Sequence, residues 1–219
     1  MNRQEKAHAE WLSLVQQDGL LVSVMTLAEK DLYIRQPIEK QQAFRQRAEE
    51  SGLLSFEDLR KILEWPRSGL REPTKEEILN FPDLCATIKP TLILQSLKRE
   101  PIIAVFWCEE GLDEATKAQK WGATHQACVE RYLNQQAPHI GLHVNSKTIR
   151  LCYAPPGESP ATLDFSVDFM CMAEGGILID ALHMLLNRTR IYTRVPEQSL
   201  ETIIKESRAN QEKVTEILA

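Results

Sequence analysis

The sequence predicts a mixed α/β (α+β) sandwich, a small mixed sheet of about five strands flanked by helices. Three observations carry that expectation. The chain opens on a stretch rich in Gln, Glu, Lys and Arg, continues through paired apolar runs joined by short polar turns, and ends on a long polar helix. Its 219 residues hold 26 Lys plus Arg against 31 Asp plus Glu, a formal charge of −5, with 43% hydrophobic residues. That is enough apolar material for a core, and it removes any bulk-charge argument for nucleic acid.

Trp11, Leu12 and Val15, then Leu20, Leu21, Val24 and Leu27, recur at helical spacing. Pro37 opens a second helix through Ile38, Phe44 and Ala48. Ser55 with Asp58 starts a third ahead of Leu59, Ile62 and Leu63, and Thr74 with Glu77 is a capping box ahead of Ile78 and Leu79. Residues 1–80 therefore read as a helical region. Residues 81–196 read as an α/β core. Thr91–Leu94 and Ile102–Trp107 are strands joined across Lys98-Arg99-Glu100-Pro101. His139–Val144 and Thr148–Tyr153 form a second hairpin around Asn145, which tolerates the positive φ of a tight turn. Between the hairpins, residues 113–136 predict a helix with Trp121, Cys128, Val129, Tyr132 and Leu133, weakened by Gly122. Pro155–Pro160 is a loop, Thr162–Phe169 a strand and residues 176–187 a buried helix. Residues 197–219 form the terminal helix.

Cys85, Cys108, Cys128, Cys152 and Cys171 never approach Cys-x-x-Cys spacing, so reduced thiols in a cytoplasmic protein are expected. No apolar run is long enough to span a bilayer, and the N-terminus lacks the apolar region of a signal peptide. Gly-rich phosphate loops, G-x-S-x-G and H-E-x-x-H are absent. His139 and His143 share a strand face about 13 Å apart, too far for one metal ion. His183 is expected as a hydrogen-bonded core histidine, and the scattered Trp11, Trp65, Trp107 and Trp121 as core.

A helix, a hairpin, a helix and another hairpin is the order of a PD-(D/E)XK nuclease fold. That chemistry needs Mg²⁺ on an Asp at the start of one strand and a Glu on the next, with a Lys two residues later beside the attacking water. Asp83 in Phe81-Pro82-Asp83 has no strand directly after it; alternatively Thr91 stands where the Asp belongs. Either way the next strand ends Phe106-Trp107-Cys108, and Glu109 and Glu110 are followed by Gly111 and Leu112 rather than Lys. The expectation is a degenerate site without cofactor or metal. An active Mg²⁺-dependent endonuclease using Asp83 with Glu109 or Glu110 is the alternative.

The chain resembles the N-terminal region of adenine-specific methyltransferase polypeptides of type IIG-like restriction–modification and DISARM-type phage-defence systems. The stretches that carry the resemblance are Gly19–Val24, Arg35–Glu39, Ile140–Asn145, Leu151–Glu158, Ala181–Leu186 and Glu206–Arg208. At the second hairpin Ser146 stands in place of the usual Gly and Ile149 in place of an aromatic. The resemblance implies a nuclease-like module ahead of methyltransferase domains, whose own motifs are not in this chain.

The function expected is a non-catalytic subunit or module of a bacterial restriction–modification or anti-phage complex. It would contact DNA backbone, a methyltransferase or helicase partner, or both. Lys98, Arg99, Lys147 and Arg150 at the two hairpins are the candidate phosphate contacts. In a pure assembly module, the terminal helix would dock a partner through Ile203, Ile204, Val214, Ile217 and Leu218. The ending Glu216-Ile217-Leu218-Ala219 has no helix-stop residue, which reads as a piece of a larger assembly.

Overall fold

The computed structural model describes residues 3–34, 37–51, 54–81, 86–115 and 123–218, with side chains for all of these except 50, 51, 86 and 212–218. Nine strands are described: β1 (Gln16–Asp18), β2 (Leu70–Arg71), β3 (Leu79–Phe81), β4 (Ala86–Ile88), β5 (Leu92–Gln95), β6 (Pro101–Trp107), β7 (Ile140–Val144), β8 (Thr148–Tyr153) and β9 (Ala161–Ser166). The helices are α1 (Arg3–Leu14), α2 (Val24–Glu29), α3 (Ile38–Ser51), α4 (Phe56–Ile62), α5 (His125–Gln135), α6 (Val167–Cys171), α7 (Gly176–Leu186), α8 (Arg188–Ile191) and α9 (Leu200–Leu218).

One seven-stranded sheet runs in the order β1-β9-β8-β7-β6-β5-β2, and β3 and β4 make a separate two-stranded ribbon. The mixed α/β class stands, with seven strands where about five were expected. The two extra strands are the edges. β1 pairs with β9, and β2 adds two residues beside β5. Both come from the stretch read as helical, where Gln16-Gln17-Asp18 and Leu70-Arg71 are too short to display a two-residue period. All neighbours are antiparallel except β6 and β7, which run parallel through the α5 crossover.

Strand alternation gives the sheet two different faces. One face presents Ile103, Val105, Leu142, Val144, Ile149, Leu151, Leu163 and Phe165 to the main core, which also takes Trp11, Phe44, Leu59 and Trp65 from the first helices and Leu182, Leu185, Ile203 and Ile204 from α7 and α9. The core thus runs through all three stretches into which the sequence divides at 80 and 196. On the other face Ile93, Ala104, Phe106 and Cys152 meet Cys128, Val129, Tyr132 and Leu133 of α5. Gly141 permits that contact, because a Cβ there would lie 2.8 Å from a Leu133 methyl.

Local chemistry explains the element ends. Ser55 and Asp58 form the expected capping box on α4. The Thr74–Glu77 box is present too, but it caps a single 3-10 turn, after which Leu79 enters β3. The strand from Thr162 stops at Ser166, whose hydroxyl accepts from Phe169 N and starts α6. Among the described residues the helix expected over 113–136 forms only as α5, capped by Thr124; Asp113 and Glu114 lie in a turn and Ala115 bridges Thr124, while Trp121 and Gly122 lie outside the described residues. Asn145 shapes its turn through its side chain, with Oδ1 accepting from Lys147 N and Thr148 N at 2.9 and 2.8 Å. Among the described non-glycine residues positive φ occurs instead at Asp31, Glu64 and Arg99.

His183 is buried as expected, yet neither ring nitrogen has a hydrogen-bond partner among the described residues. Trp11 and Trp65 are fully buried, and Trp65 Nε1 donates to Leu186 O at 2.7 Å. Ile203 and Ile204 are 0% exposed, so this part of the docking seam packs on its own domain. The side chains of Val214, Ile217 and Leu218 lie outside the described set.

Candidate functional site

Where a PD-(D/E)XK centre would need Asp, Glu and Lys, the second placement carries Thr91 and Phe106-Trp107-Cys108. Thr91, in the Asp position of one placement, uses its hydroxyl to accept from Trp107 N at 2.9 Å and so ties the strands together. Ala104 and Phe106 face the small core under α5. Glu109 is exposed, and Glu110 lies 3.5 Å from His125 Nε2. Asp83 falls outside the described residues. Among the described residues no group of three or more His, Cys, Asp or Glu is placed to hold a metal ion.

The carboxyl ends of the parallel pair, where ligands of α/β proteins commonly bind, carry a polar network. Arg150 on β8 donates through Nε and Nη2 to Asp164 on β9, at 2.7 Å each. Its Nη1 and Nη2 also reach Asp113 at 2.7 and 2.9 Å. Burial opposes the charge of Arg150, but the two carboxylates outweigh it and hold the guanidinium above its ordinary range. Gln126 Nε2 donates to Glu130, which leaves Oε1 to accept from Arg150 Nη1 and His143 Nδ1. That fixes the His143 proton on Nδ1 and turns the Nε2 lone pair toward Cys108 Sγ, 3.5 Å away.

Thiol, imidazole and orienting amide are thus within reach of one another, but the electrostatics oppose thiolate formation. Burial, then Glu110, pushes the Cys108 thiol up to about 11. Burial, then Arg150, pushes His143 down to about 3. The resting pair is a thiol and a neutral imidazole, which ties the 108–115 loop to the sheet.

The four candidate phosphate contacts do not form one patch. Because β6 and β7 are parallel, the turn before β6 and the turn after β7 lie at opposite ends of the sheet, about 20 Å apart along a strand of this length. Lys147 is exposed at one end. Arg150 is 7% exposed with its guanidinium taken by Asp113 and Asp164, so it is a structural cation and not a surface contact.

Lys98 and Arg99 sit at the other end, and there the chain builds a cleft of about 740 Å³. Arg71, Arg99, Arg188 and Arg194 line it with Tyr192 and Leu97, and no acidic side chain does so among the described residues. Arg71 is committed. Its two terminal nitrogens grip Glu77 at 2.6 Å each, and that contact holds the Glu77 carboxyl down at about 2 against the effect of burial. Arg99, Arg188 and Arg194 have no side-chain hydrogen bond or ion pair among the described residues. Arg190, between the last two, is spent on Met184 O and Gln198 O, which braces the segment that presents Arg194. Tyr192 fits because residue 69 is glycine: a Cβ there would lie 1.8 Å from its Oη. Arg188 and Arg194 were not legible as site residues, since only folding brings α8 and the segment after it beside the β5–β6 turn.

No family model matches this chain, and neither a curated protein nor a solved structure does. No helix among the described residues is long and apolar enough to cross a membrane.

Proposed function

We propose that this chain is a non-catalytic nucleic-acid-binding module of a bacterial restriction–modification or anti-phage complex. It holds phosphate backbone in the arginine cleft and serves a methyltransferase or helicase subunit. The observation that carries the binding half is a cleft lined by three guanidinium groups that have no side-chain partner, and by no acidic side chain, among the described residues. Such groups match phosphate in charge and geometry, and they avoid the desolvation cost of breaking an existing ion pair. The nuclease-like ancestry rests on the antiparallel β5–β6 pair followed by the α5 crossover to a parallel β7. The non-catalytic reading rests on Thr91 and Phe106-Trp107-Cys108 standing where Asp, Glu and Lys would be needed.

Fluorescence anisotropy of the full chain with a labelled DNA duplex tests the binding half. Three phosphate contacts give a salt slope of about −2.7, or an affinity loss of roughly 40-fold between about 50 and 200 mM salt. The Lys98→Glu/Arg99→Glu double substitution weakens binding and flattens that slope; an unchanged titration overturns the assignment. Incubation with plasmid and Mg²⁺ or Mn²⁺ tests the other half. Cleavage that disappears in Asp83→Ala would make the endonuclease alternative the correct one. A stoichiometric methyltransferase or helicase in native purifications is the expected partner.

A further inference from the structure

Leu97 stands at the tip of the β5–β6 turn and is 92% exposed, well beyond the next large apolar side chain among the described residues, Ile38 at 63%. A single exposed leucine needs no explanation by itself. Here three further observations bear on it. The turn that carries it is closed by hydrogen bonds: Ser96 Oγ accepts from Lys98 N and Glu100 N at 3.1 and 3.2 Å, Ser96 N donates to Glu100 O at 2.8 Å, and Arg99 N donates to Ser96 O at 3.0 Å. These bonds close the backbone of the turn around Leu97, whose side chain projects into solvent. It is followed directly by Lys98 and Arg99, and Arg99 takes the left-handed conformation, φ 66°, that closes the turn. It also borders the cleft that Arg188 and Arg194 line.

We propose that Leu97 is a wedge that enters a groove of bound duplex and partly unstacks one base step while the arginines hold the flanking phosphates. This rests on the nucleic-acid reading of the cleft and adds a mode of binding to it. A duplex offers anionic oxygens outside and apolar base faces inside, and an apolar tip flanked by cations matches both layers. An anionic membrane offers the same two layers, but it is flat whereas the cations surround a cleft. One leucine also supplies only about 2 kcal/mol of apolar burial, less than the single acyl chain that gives marginal membrane attachment.

The test uses the full chain and a duplex with 2-aminopurine at one step, read by anisotropy for binding and by fluorescence for unstacking. The wild type binds and raises the 2-aminopurine signal. Leu97→Ala loses the rise and roughly tenfold in affinity while keeping the salt slope, because the phosphate contacts remain. Leu97→Phe restores the rise. Binding without any rise in the wild type overturns the wedge and leaves the cleft assignment standing. Absence of duplex binding overturns the cleft assignment itself. Leu97-dependent binding to phosphatidylserine vesicles, with none to DNA, assigns the tip to a membrane and overturns both.

Discussion

Arg150 and Asp164 face each other across β8 and β9 and share two hydrogen bonds of 2.7 Å. The arginine is 7% exposed and joins Asp164, Asp113 and Gln126. Removing Asp164 leaves this buried charge with only the exposed Asp113 as its counter-ion. Asp164→Asn is therefore expected to cost about 3 kcal/mol. Asp113 binds the same guanidinium, but its side chain is 70% exposed, so Asp113→Asn costs about 1 kcal/mol or less. Urea unfolding of the two variants checks the ranking, and equal losses would show that exposure does not grade these contacts. The double change Arg150→Met/Asp164→Leu removes charge and countercharge together and is expected to cost less than Asp164→Asn.

His183 supplies a pH test with a definite sign. Burial, then Lys40, pushes it from 6.5 down to about 4. Between these values the unfolded chain binds more protons than the folded one, so stability is complete above 6.5 and falls as the pH drops toward 4. The loss on this residue is about 1 kcal/mol between roughly pH 7.5 and 5.5. His143, pushed to about 3 by burial and then Arg150, adds a loss of the same sign. His183→Leu removes two unpartnered nitrogens and one of these titrations. The variant is expected to be more stable at neutral pH and to lose less on acidification. Urea melts at the two pH values decide it, and a less stable variant at neutral pH would reveal a partner for the ring.

How far the sequence could be read depended on how local the signal was. The strands β6, β7 and β8 announce themselves as β-branched apolar runs between turn residues, and the Ser55–Asp58 box marks α4. A two-residue edge such as Leu70-Arg71 has no period to detect, and Thr74–Glu77 is the same cap whether a helix or one 3-10 turn follows. Arg150 and Arg99 look alike in sequence, each a cation in or beside a hairpin. One becomes a structural cation because Asp113 and Asp164 converge on it. The other keeps its charge free because its turn projects beyond the sheet toward Arg188 and Arg194. Only the parallel pairing of β6 with β7, set by the α5 crossover, separates the two hairpin turns.

The terminal helix gives a test of core against docking surface. Ile203 and Ile204 are fully buried with Leu200 in the main core, and α9 also ties to the N-terminal region through Ser207 Oγ, which accepts from Ser23 N at 3.1 Å. Ile204→Ala is expected to cost about 2–4 kcal/mol, the ordinary result of a cavity in a packed core. A residue that served only a partner would cost almost nothing in the isolated chain. Chemical unfolding of the purified variant distinguishes these, and a loss well under about 1 kcal/mol would return Ile204 to the docking seam.

Arg99 separates stability from function. Its φ of 66° is the left-handed conformation that a side chain disfavours by about 1–2 kcal/mol and glycine adopts freely. If only the turn mattered, glycine would serve better here. Arg99→Gly is expected to leave stability unchanged or raise it by up to about 1 kcal/mol, since part of the relief is offset by the greater freedom of an unfolded glycine. The same variant loses one cation from the cleft, so duplex affinity falls and the salt slope shrinks by about 0.9. Thermal melts and anisotropy on one preparation measure both. A variant that melts lower would mean the arginine holds the turn; one that binds duplex unchanged would remove Arg99 from the interface. A gain in stability with a loss of binding is the outcome expected of a cation kept in a strained turn for what it contacts outside the chain.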